Sequence, residues 1–164
     1  MSGRSAALGN LLIYFECAQR NQRMTPNKTT TLLGYAGLMP FVLLAALMWL
    51  VDTELLPFVA VALGAYAAAI ASFLGGIHWG IGFMQGDAAP RFHFIWGVVP
   101  SLLAWVAMMM PAYAALPFLG LVLLACYVVD RNTYPPAGLA HWLPMRLRLT
   151  VVATLACMLG AAAL

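Results

Sequence analysis

The sequence predicts an all-α integral membrane protein of five transmembrane helices, with the N-terminus inside and the C-terminus outside. Three observations predict it. Of the 164 residues, 64% are hydrophobic and only 8% charged, against about 25% charged in a soluble domain. A chain this short cannot hide so much apolar surface from water, so lipid must be its solvent. Five segments reach the roughly 20 apolar residues that a helix needs to cross a bilayer core of about 30 Å. Finally, the eight Lys and Arg residues all fall on one side of the resulting topology.

Residues 1–30 read as a polar N-terminal segment ahead of a single membrane domain over 31–164. "LGNLLIYFEC" is too short to span, and no small-residue cleavage site marks it as a signal peptide. "MTPNKTTTLLGYAG" resembles a cytoplasmic start, so 1–23 are expected to be an extension or an amphipathic arm. The five spans are expected at about 32–51, 56–83, 92–110, 112–129 and 144–164. The breaks between them carry turn residues: Asp52 to Pro57, "QGDAAPR", Pro111 and "DRNTYPPAG". Pro40 and Pro100 fall inside spans, where each should kink its helix. Spans one and two resemble spans three and four at an offset of 60, with Gly37, Pro40 and "LPF" meeting Gly97, Pro100 and a second "LPF". If this is a duplication, it is a parallel two-helix repeat.

Orientation follows from charge. Arg4, Arg20, Arg23 and Lys28 precede span one. Arg91 separates spans two and three, and Arg131, Arg146 and Arg148 lie around the start of span five. The opposite side holds Asp52 and Glu54 and no basic residue, so the positive-inside rule places the basic side in the cytoplasm. The net charge of +3 therefore reads as orientation, not as affinity for nucleic acid. Cys17, Cys126 and Cys157 form neither a disulfide framework nor a metal-ligand spacing.

Span two carries the pattern that calls for explanation. Ala60, Gly64, Ala68, Ser72, Gly76 and Gly80 put a small residue at every fourth position, with Gly75, Gly82 and Ala71 as a second strip. Small residues let helix backbones approach closely in lipid, so Gly64, Ser72, Gly75, Gly76 and Gly80 are expected to be packing positions of a central helix. "SFLGGIHWGIGF" also places His78 and Trp79 near the inner end of that helix, level with His93, His141, Asp87, Arg91, Asp130, Arg131, Arg146 and Arg148. Tyr35 and Tyr127 fall at the same depth, and the expected polar partner of His78 is Tyr35, Ser101, Tyr127 or a basic residue of the inner loops. Two readings stand. Either these groups form an interfacial belt of aromatic rings and snorkelling arginines, or they line a cytoplasm-facing pocket around His78.

No catalytic residue is expected: Ser72 has no evident base, and the carboxylates are assigned to loops. HExxH, CxxCH and ExxH motifs are absent, so no metal is expected, and the sequence names no cofactor. The expected partners are the bilayer and either another membrane protein or a second copy.

"LLGYAGLMPF", "SFLGGIHWG", "WGVVPSLLAW" and "WLPMRLRLT", in this order and spacing, resemble an uncharacterised bacterial inner-membrane family of five-span proteins, to which the mitochondrial transmembrane protein 69 is also similar. The resemblance covers about residues 30–160, and residues 1–23 depart from it. It implies the topology and an inner-membrane location but brings no catalytic residues. Two functions remain in view. One is a non-enzymatic accessory, assembly or scaffolding factor acting through helix–helix contacts. The other is a small-solute or proton transporter, or a haem- or quinone-binding protein, using a pocket near His78.

Overall fold

The computed structural model describes residues 28–164, so the expectations for residues 1–27 lie outside the described residues. The described chain is helical and contains no strand. Its helices are α1 (Lys28–Ala36), α2 (Met39–Leu50), α3 (Leu56–Gln85), α4 (Arg91–Met108), α5 (Ala112–Thr133) and α6 (Leu143–Ala162). Short 3₁₀ turns at Gly86–Ala88 and Ala140–Trp142 precede α4 and α6. Taken together, α1 and α2 make one span, and five spans are long and apolar enough to cross a membrane. The protein is a multi-pass membrane protein.

The first span departs from expectation. Pro40 does not kink a continuous helix. The helix stops at Ala36, turns through Gly37 and Leu38, and restarts with Pro40 in the first turn of α2. Proline lacks the N–H that would bond back to residue 36, and its ring crowds that carbonyl, so the first turn of a new helix accommodates it best. The Tyr66 hydroxyl on α3 donates to the Gly37 carbonyl at 2.8 Å. Pro100, by contrast, stays inside α4 and is buried.

α3 is the central helix. It packs against α2, α4, α5 and α6 and buries more residues than any other. Its buried small residues are Ala60, Gly64, Ala67, Ala71, Gly75 and Gly82, spaced by three, four and seven. That spacing stays on one helix face, because seven residues turn about 700° and return within roughly 20°. At the α4 contact the two backbones nearly touch. A Cβ added to Gly75 would collide with the Gly97 carbonyl oxygen and come within 3.2 Å of its carbon.

Gly76 and Gly80 are not packing positions within the chain. Both are exposed, and a Cβ added to either meets nothing within 4 Å among the described residues. A strict four-residue period drifts by about 40° per step, so a strip that starts in the core at Ala60 and Gly64 has rotated out by Gly76. Ser72 is half-buried, and its hydroxyl donates to the Ala68 carbonyl at 2.9 Å.

Candidate functional site

His78, His93 and Arg146 converge at one end of the bundle, on α3, α4 and α6. A fourth residue joins them: Asp130 on α5. The end of α3, the start of α4, the end of α5 and the start of α6 must meet in an up-and-down bundle, and each contributes one side chain. His78 is fully buried, Asp130 is 1% exposed, His93 6% and Arg146 9%. An isolated charge at such a depth would be costly, so pairing is required.

The pairing is continuous. Arg146 Nε–H donates to Asp130 Oδ2 at 2.9 Å, and Arg146 Nη2–H donates to the same oxygen. His78 Nε2 lies 3.1 Å from Asp130 Oδ1. On its other side, His78 Nδ1 lies 3.2 Å from His93 Nδ1. A carboxylate paired with arginine only accepts, so His78 must carry its proton on Nε2 and donate. In neutral His78 the Nδ1 is then bare and accepts from His93 Nδ1–H. This assignment satisfies every contact and leaves the cluster electrically neutral, with Asp130 balanced by Arg146.

Tyr134, just beyond α5, closes the cluster. It is 3% exposed, and its ring centroid lies 6.3 Å from that of His78. Burial and the Asp130 charge push its phenol well above the usual value, with Arg146 opposing, so it stays protonated. Phe92 covers another side, 6.4 Å from His78 centroid to centroid.

The other expected binding residues lie elsewhere. Trp79 points away from the cluster toward α4, where its Nε1–H donates to the Phe94 carbonyl at 2.9 Å. Tyr35 is exposed, and its hydroxyl accepts from Arg148 Nη1 at 3.3 Å. Arg91 is exposed and Tyr127 half-buried, while His141 stands beside Trp142 before α6. Tyr35, Ser101 and Tyr127 are therefore not the partners of His78. Asp130 and His93 are.

The turn-rich run "DRNTYPPAG" assigns Asp130 to a loop. In the structure α5 runs on to Thr133. The sequence held a signal for this. Leu116, Leu119, Leu123, Cys126 and Asp130 alternate spacings of three and four, and all are buried, so Asp130 continues the inward stripe of α5. Among the described residues, no group of three or more His, Cys, Asp or Glu is placed to hold a metal ion. Cys126 and Cys157 are buried free thiols.

The chain matches a family described as "Protein of unknown function (DUF3429)" over residues 26–162. It belongs to that family. The matched region includes all four residues of the buried chain. Over 84 residues it is also 42% identical to Transmembrane protein 69 of Xenopus tropicalis, a match covering 50% of this chain and 33% of that protein. The match thus spans about a third of that relative's length. No solved structure matches the chain.

Proposed function

We propose that this protein is a non-enzymatic accessory factor of a bacterial inner membrane, a fixed helical frame that works through contact with a second copy of itself. The observation that carries this reading is the closed His93–His78–Asp130–Arg146 chain. General acid–base chemistry needs a titratable group that can reach a substrate. Here His78 and Asp130 are buried, and each is bonded on both sides. In lipid, where apolar burial no longer drives helices together, such hydrogen bonds join helices. The chain links α3, α4, α5 and α6 and makes one end of the bundle rigid.

A rigid frame needs a face to present, and α3 offers one. Gly76 and Gly80 are open to the exterior, and the Ser72 hydroxyl is satisfied within its own helix. Such an uncharged strip is self-complementary about a two-fold axis, glycine against glycine. The one-sided basic residues and the family resemblance support the inner-membrane location.

Cysteine cross-linking in native membranes tests the reading. Gly76→Cys should give a disulfide-linked dimer of this chain. A cysteine at Trp105, exposed on α4, should not. A cross-link to a different protein, or none above the Trp105 control, would refute the self-association.

A further inference from the structure

A cleft runs between α1–α2 and the α3–α6 pair. It comprises an outer chamber of about 500 Å³ and an inner one of about 160 Å³. The two are contiguous: Leu33, Gly34, Phe73, Leu74, Arg146 and Leu149 line both. The walls are mostly apolar. The inner chamber also holds an anomaly. Thr150 is 3% exposed, lines that chamber, and its Oγ1 has no hydrogen-bond partner among the described residues. A buried hydroxyl without a partner is costly, so native structures rarely leave one unsatisfied.

Arg146 stands one helical turn before Thr150 on α6, on the same face. It spends two N–H groups on Asp130, and a guanidinium has five. The cleft thus combines an apolar body with two donors four residues apart at its polar edge. Because Asp130 already balances Arg146, an anionic ligand would bring an uncompensated charge into a buried site. The chemistry suits a neutral acceptor.

We propose that this cleft binds an uncharged, lipid-soluble molecule with a carbonyl at one end, which accepts from Thr150 Oγ1–H and Arg146 while its apolar remainder fills the outer chamber. Either a quinone ring or the ester of a neutral acyl lipid supplies that carbonyl. The site is independent of self-association and stands or falls separately from it.

Thermal unfolding of the full chain in delipidated detergent micelles, with added decylubiquinone or monoolein, tests the proposal. One probe should raise the Tm of the wild-type protein, and which one does so identifies the source of the carbonyl. Thr150→Val keeps the shape and removes the hydroxyl. It should weaken that probe about five- to tenfold, and its unliganded Tm should be no lower than wild type. Ile77→Trp, which fills the outer chamber, should abolish the shift. No shift with either probe, or equal affinity in wild type and Thr150→Val, would overturn the proposal, the second result marking nonspecific filling of an apolar groove.

Discussion

His78 makes two contacts where His93 makes one, and that difference has a measurable consequence. Replacing His78 by alanine strips a donor from Asp130 and a partner from His93 at once. Replacing His93 leaves the Asp130 contact standing. Thermal denaturation should therefore show the larger loss for His78→Ala, about 1–3 kcal/mol, and a smaller one for His93→Ala. Equal or reversed losses would mean that the contact through His78 Nε2 is not the one that matters. The sequence made His78, His93 and Arg146 visible as ionisable groups at one depth. It places Asp130 at the same level but in a loop, because a loop-like context of Asp, Arg, Asn and Pro outweighs the three–four periodicity that turns it inward. Arg91 and His141 share that depth but not that face, and depth alone does not select partners.

At the scale of the helix, the face is decided by small differences in period. The four-residue strip and the three–four strip of α3 share Ala60 and Gly64, then separate. Only the second keeps pace with 3.6 residues per turn. The two strips predict opposite outcomes. Gly75→Leu should prevent correct packing, because the obstacle is the backbone of Gly97 and cannot swing aside. Gly76→Leu should leave the monomer's thermal stability unchanged, because the added side chain enters open space. A folded, stable Gly75→Leu protein would show that α3 and α4 do not approach as described. The break between α1 and α2 was only half legible. Pro40 marked a disturbance, but the Gly37–Leu38 turn also depends on Tyr66, 29 residues away.

At the scale of the molecule, five spans are readable because apolar length and turn chemistry agree on their number, although α5 runs past the expected turn at Asp130 to Thr133. The convergence of polar groups then follows from alternation. The ends of α3 and α5 and the starts of α4 and α6 lie together, along with Arg91, Arg131 and Arg148, while Asp52 and Glu54 lie at the other end. What the sequence could not supply was which rotamers and faces meet there, since those depend on packing between helices far apart in the chain. The central claim is that an ion pair bonded to a histidine couples these helices into one unit. Thermal unfolding of Asp130→Asn, Arg146→Met and the double variant measures that coupling directly. Asp130→Asn alone should cost about 3–5 kcal/mol, because it strands a buried guanidinium. The double variant should recover a large part of that loss, with a coupling energy of about 2 kcal/mol or more. Losses that simply add would contradict the account, since the two residues would then act independently.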